Sequence, residues 1–102
     1  MQQITPMELK GMLDAGKELS LVDVRETWEH EEYNIGGLLL PFDEAMSRVD
    51  EIAVDKPVVV YCKKGVRSAI VIQRLEQKTG FTNLINLAGG IDAWKKLQAT
   101  EI

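Results

Sequence analysis

The stretch that most constrains this chain runs from Pro57 to Ile72. Val58-Val59-Val60-Tyr61 is a β-branched apolar run with the composition of a buried strand. From Ser68 onward, Ala69, Ile70, Ile72 and Leu75 recur near the helical period, and Gly80 supplies a stop. The segment between is too short for anything but a tight turn. Cys62 therefore sits where a strand ends and a helix begins.

That position has chemical consequences. The first amides of a helix lack intrahelical partners and carry the positive end of its dipole, so they attract anions. A loop curling from Cys62 to Arg67 turns backbone N–H groups inward as an anion-binding nest, and Gly65 permits a backbone that a side chain resists. Lys63, Lys64 and Arg67 add three cations within six residues. A thiol in such a field favours its thiolate, which is the nucleophilic form. These residues point to a cysteine nucleophile in an anion cradle. The competing structural reading is an inert, buried small hydrophobe at a strand end, with Lys63 and Lys64 as ordinary surface lysines.

Composition narrows the classes. The 102 residues suit one domain with a single core, and 45% hydrophobic content argues against disorder. A formal net charge of −4 speaks against a general nucleic-acid surface. The lone cysteine excludes an internal disulfide, and without a Cys/His cluster no metal is expected. Met1 to Pro6 lacks the layout of a signal peptide, and no apolar run approaches the roughly twenty residues of a membrane span. The expectation is a cytoplasmic protein with no membrane partner and no cofactor.

The flanking segments read as punctuation around that centre. Thr5-Pro6-Met7-Glu8 is a capping box with proline at the first helical position, Leu9, Met12 and Leu13 form the apolar face, and Gly16 closes the helix. Leu19 to Val24 reads as a buried strand in which Asp23 is the anomaly, since a buried carboxylate needs a partner. Asp23 and Arg25 stand either at the rim of the site or in a supporting role, with Asp23 capping the turn that follows or pairing with Arg25 to hold the loop; the supporting role is favoured. Glu26, Glu29, Glu31 and Glu32 read as a solvated helix face anchored by Trp28 and Tyr33, with His30 at the surface. Leu38 to Leu40 is a short strand, Asp43 caps a helix that turns Ala45, Met46 and Val49 inward, and Leu84 to Leu87 is a further strand. Gly89-Gly90 opens a last helix with Ile91, Trp94 and Leu97 on one face; packing and a tight turn explain the glycine pair better than phosphate binding. Strands alternating with helices imply an α/β fold, a parallel sheet covered on both faces. Cys62 then lies at a carboxyl strand end, where such sheets place their sites.

Four segments also carry a family resemblance. Cys62-Lys63-Lys64-Gly65-Val66-Arg67-Ser68 resembles the C-x-x-G-x-R-S active-site loop of the rhodanese-like single-domain sulfurtransferases, and Leu87 to Trp94 is similar to their L-x-G-G-x-x-x-W segment. Ile4-Thr5-Pro6 with Glu8-Leu9, and then Leu21 to Arg25, resemble the family's opening strand, helix and second strand. Asn34-Ile35-Gly36-Gly37 is similar to its H-I-x-G segment, with Asn34 where many members carry histidine. The resemblance implies a rhodanese-like, mainly parallel five-stranded sheet with helices on both faces, spanning residues 1–102 as a single domain.

The same resemblance implies a double displacement. Cys62 takes the outer sulfur of a small sulfur-containing anion such as thiosulfate, becomes a persulfide, and passes that sulfur to a thiol, cyanide or a protein cysteine. Lys63, Lys64, Gly65, Val66, Arg67 and Ser68 are the expected substrate-binding loop: its amides stabilise the persulfide, the cations orient the donor, and Val66 shapes the loop. Ser68 caps the helix start, and Arg67 has pairing with a carboxylate such as Glu26 as its alternative. Rival classes are a persulfide carrier or regulatory protein-binding module, and a cysteine-dependent phosphatase or arsenate reductase. The last needs C-x5-R, whereas Cys62 and Arg67 enclose only four residues. The oligomeric state is left open.

Overall fold

The computed structural model describes residues 1–100. In chain order its elements are β1 (Gln2–Ile4), α1 (Pro6–Asp14), β2 (Ser20–Asp23), α2 (Thr27–Glu32), β3 (Leu38–Leu39), β4 (Val58–Tyr61), α3 (Val66–Thr79), β5 (Leu84–Leu87) and α4 (Gly90–Thr100). The strands form one sheet in the order β1-β5-β4-β2-β3, and each of its four pairings is parallel.

Strand β4 is central and buried along its whole length, which is why its sequence is a continuous apolar run instead of an alternating one. Successive strand side chains point to opposite faces, and β4 supplies both cores. Val58 and Val60 join Val22, Leu40, Leu84 and the α3 residues Val71, Ile72 and Leu75 on one face. Val59 and Tyr61 join Ile4, Leu9, Leu87, Ile91 and Trp94 beneath α1 and α4 on the other. Cys62 keeps the parity of Val58 and Val60 and packs in the α3-side core. Helix α1 opens on the capping box: the Thr5 hydroxyl accepts from Glu8 N (3.1 Å) and the Glu8 carboxylate from Thr5 N (2.9 Å).

Three local expectations change. No α-helix follows Asp43; two 3-10 turns, Ala45–Ser47 and Val49–Glu51, take its place, with no side-chain cap. The Ser47 hydroxyl donates to the Glu44 carbonyl (3.0 Å), a local bond that competes with a continuing helix. Ala45, Met46 and Val49 still turn into the core. Trp28 is 65% exposed and anchors nothing, because α2 turns Glu29 inward instead. His30 is half-buried, not at the surface, since its Nδ1 lies 2.9 Å from the buried Asp23 carboxylate. Among the described residues no helix is long and apolar enough to cross a membrane.

Candidate active site

The strand β4 ends at Tyr61 and α3 begins at Val66, so the turn between them is four residues long. It closes over the Cys62 sulfur. Gly65 N donates to Sγ at 3.1 Å and Ser68 N at 3.4 Å, two amides aimed at one atom. Gly65 makes this possible by taking φ +91°, a left-handed conformation that L side chains resist. Cys62 itself is 1% exposed, and it lines a pocket of about 200 Å³ together with Lys63, Lys64, Val66 and Arg67.

The first turn of α3 places Ser68 under the loop instead of at its cap. Gly65 occupies the cap position, and the Ser68 hydroxyl donates to Asn86 Oδ1 while lying 3.3 Å from Cys62 Sγ. Asn86 then donates through Nδ2 to the Gly65 carbonyl at 3.1 Å. One buried amide side chain on β5 therefore ties the serine and the loop backbone together. Sequence reading missed Asn86. The available signal was a lone polar residue sharing the parity of Leu84, which faces the α3-side core.

Helix α4 supports the loop from the other side. Ile91 N donates to the Cys62 carbonyl (2.9 Å) and Asp92 N to the Lys63 carbonyl (3.0 Å). This contact explains the second glycine of the pair: a Cβ on Gly90 would press into the Cys62 carbonyl oxygen, and Gly90 also has φ +60°, whereas Gly89 takes φ +73° and a Cβ there would meet Ala93. Gly90→Ala is expected to cost about 1–3 kcal/mol of stability and to loosen the loop. A thermal melt beside a Cys62 alkylation rate would show both effects, and an unchanged melting temperature would contradict the close-packed contact.

The three cations are placed differently from one another. Lys63 Nζ lies 3.3 Å from the Asp92 carboxylate across an exposed gap. Lys64 is exposed and has no ionic partner among the described residues. Arg67 reaches back to α2 with a bidentate pair to Glu29, at 2.9 and 3.1 Å, and not to Glu26 as the sequence suggested. Glu29 thus lies on a buried helix face, and the Arg67 bond holds its carboxyl below the ordinary carboxylate value of 4.5, against the opposing effect of burial. A depressed carboxyl contributes stability that is complete above the unfolded value and disappears as pH falls through the folded value. Glu29→Gln should therefore destabilise at neutral pH, with the gap to wild type closing below about pH 4.5 in urea titrations run across pH.

Asp23 and Arg25 form the mutual pair. Asp23 is fully buried and accepts from Arg25 Nε (2.9 Å), Arg25 Nη2 (2.8 Å) and the Arg25 backbone (3.0 Å). Arg25 also donates to the Tyr33 carbonyl and lies 5.7 Å over the Tyr61 ring. Burial, and then the Asp23 charge, push the Tyr61 phenol well above its usual value, so it stays a donor, here to the Gly36 carbonyl at 2.9 Å. This network holds the loop after β2 and does not line the thiol pocket.

A parallel five-stranded sheet with a thiol cradled by amides at the carboxyl end of its central strand defines an α/β protein of the rhodanese architecture. The chain belongs to the family described as "Rhodanese-like domain", whose model matches residues 5–97. It is 38% identical over 99 residues to MoeZ of Mycobacterium tuberculosis, named a probable adenylyltransferase/sulfurtransferase, covering 91% of this chain and 24% of that protein. The chain thus spans about a quarter of that relative's length. It is 32% identical over 80 residues to the thiosulfate sulfurtransferase GlpE of Coxiella burnetii, covering 78% and 74% of the two chains. The crystal structure of a rhodanese-like domain protein from Staphylococcus aureus superposes with a TM-score of 0.83 at 34% identity, covering 92% and 91% of the two chains.

Proposed function

We propose that this protein is a sulfurtransferase in which Cys62 carries the transferred sulfur as a persulfide, with residues 1–102 acting as one rhodanese-like unit. The observation that carries the reading is the pair of amides, Gly65 N and Ser68 N, directed at a single buried sulfur. Preorganised donors of this kind stabilise negative charge on the atom they face without reorganising during reaction.

The steps follow from that geometry. The Cys62 thiolate attacks the outer sulfur of thiosulfate, the S–S bond of the donor breaks, and sulfite leaves with its electron pair. The outer sulfur of the resulting persulfide occupies the pocket bounded by Lys63, Lys64, Val66 and Arg67. Lys64 holds the donor's negative charge, whereas Arg67 is engaged by Glu29 and acts by keeping the first turn of α3 in place. An acceptor nucleophile then takes the outer sulfur and returns Cys62 to its thiolate. The tight loop, with an amide 3.1 Å from the sulfur, suits one added sulfur atom better than a tetrahedral phosphoryl group. The likeness to GlpE over most of both chains supports thiosulfate as the donor.

Intact mass spectrometry after brief exposure to thiosulfate tests the proposal. A gain of one sulfur atom, removed by cyanide, is the expected result. No gain from thiosulfate or from a persulfide donor would overturn it.

A further inference from the structure

Beside the thiol pocket lies a larger hollow, of about 320 Å³, between α2 and the first turn of α4. The sulfur chemistry above makes no use of it. Lys63 lines both cavities, so the hollow begins one residue from the nucleophile. Its α4 wall is the turn whose amides bond the Cys62 and Lys63 carbonyls, which ties its geometry to that of the loop.

Its lining combines aromatic surface with balanced charge. Trp28 stands 65% exposed at its edge, a large apolar ring that the core does not bury. The Tyr33 ring forms a second aromatic surface, with Lys95 Nζ 4.6 Å from its centroid. Arg25, Lys63 and Lys95 supply three positive charges, and Glu29, Glu32 and Asp92 three negative ones. Such a lining offers a dianion no net attraction; a molecule bearing both an ammonium and a carboxylate group finds partners for each.

We infer that this groove is the acceptor subsite, and that its ligand is a small zwitterionic thiol, a cysteine-containing amino acid or short peptide, lying against Trp28 with its sulfur directed past Lys63. The inference rests on the sulfurtransferase reading for its chemistry but not for its binding test. The size agrees: the hollow is at the small end of ligand pockets, and a stable protein interface needs a much larger surface. In the transfer step the acceptor thiolate attacks the outer persulfide sulfur. A new S–S bond forms on the acceptor as the bond from Cys62 Sγ breaks, and the electron pair returns to Sγ. The products are an acceptor persulfide and the Cys62 thiolate, with no external oxidant.

Two measurements test the site. In Cys62→Ser protein, which removes the sulfur chemistry, S-methylglutathione is titrated while amide NMR shifts are followed. Saturable shifts in α2 and the first turn of α4, weakened about tenfold by Trp28→Ala, are expected. No shifts there at millimolar ligand, or shifts indifferent to Trp28→Ala, would overturn the assignment. In persulfide-loaded protein, Trp28→Ala and Lys95→Glu should each slow discharge to subsaturating glutathione several-fold and leave discharge to cyanide unchanged. Equal slowing with cyanide would count against a subsite. If wild-type protein takes up no sulfur at all, the sulfurtransferase reading fails, and the NMR titration still decides whether the groove binds such a ligand.

Discussion

Cys62→Ser is expected to abolish sulfur uptake from thiosulfate and to lower any thiosulfate:cyanide turnover by on the order of 10⁶-fold, the scale seen when a covalent nucleophile is removed. A hydroxyl at this position meets the same Gly65 and Ser68 amides, so geometry is not what is lost. The loss is chemical: an alcohol is a far weaker nucleophile than a thiolate and forms no persulfide. The substitution is also small enough for the site to stay folded, because the buried hydroxyl finds the Ser68 oxygen and two amide donors. The variant should therefore melt within a few degrees of wild type while its mass is unaltered by thiosulfate. Sulfur uptake by the serine variant would show that Cys62 is not the carrier.

The second large effect is on stability. Asp23→Ala should cost about 3–5 kcal/mol, because it leaves the Arg25 guanidinium, 4% exposed, without its carboxylate. The hydrogen-bond partner left to Arg25 among the described residues is the Tyr33 carbonyl, which, like the Tyr61 ring, carries no charge to balance it. His30 loses its carboxylate contact in the same step, and with it the link from α2 to β2. At this chain length each kcal/mol corresponds to roughly 4–8 °C in melting temperature, so the variant should be unfolded or close to it at 37 °C. Urea unfolding beside the double variant Asp23→Leu/Arg25→Met separates charge burial from packing. The double variant should be the more stable of the two, since removing both charges removes the desolvation penalty. A single variant as stable as wild type would show that the pair does not hold the loop.

The nucleophile and the buried ion pair differ in how far the sequence alone displays them. The capping box at Thr5 and Glu8 and the turn that carries Cys62 rest on contacts within a few residues, and the central strand is marked by its unbroken apolar run. Local composition and periodicity report such contacts directly. The pairing of Asp23 with Arg25 was legible for the same reason, being two residues apart. The resemblance in the Cys62 loop likewise points to the sheet family from sequence.

What surrounds the sulfur was another matter. Asn86 lies 18 residues from Ser68 and 21 from Gly65, and Glu29 lies 38 residues from Arg67. A period along one strand or helix says which face a residue occupies but not which element comes to lie opposite. The order β1-β5-β4-β2-β3 settles that by seating β5 beside β4 and aligning Asn86 with Val60. The same packing turns Glu29 inward and leaves Trp28 outside, the reverse of their hydrophobicity, because Arg67 is close enough to neutralise the carboxylate. Nucleophile and loop are thus local properties of the chain. The amide that braces the loop, the carboxylate that holds its arginine and the groove beside it exist only once distant segments pack together.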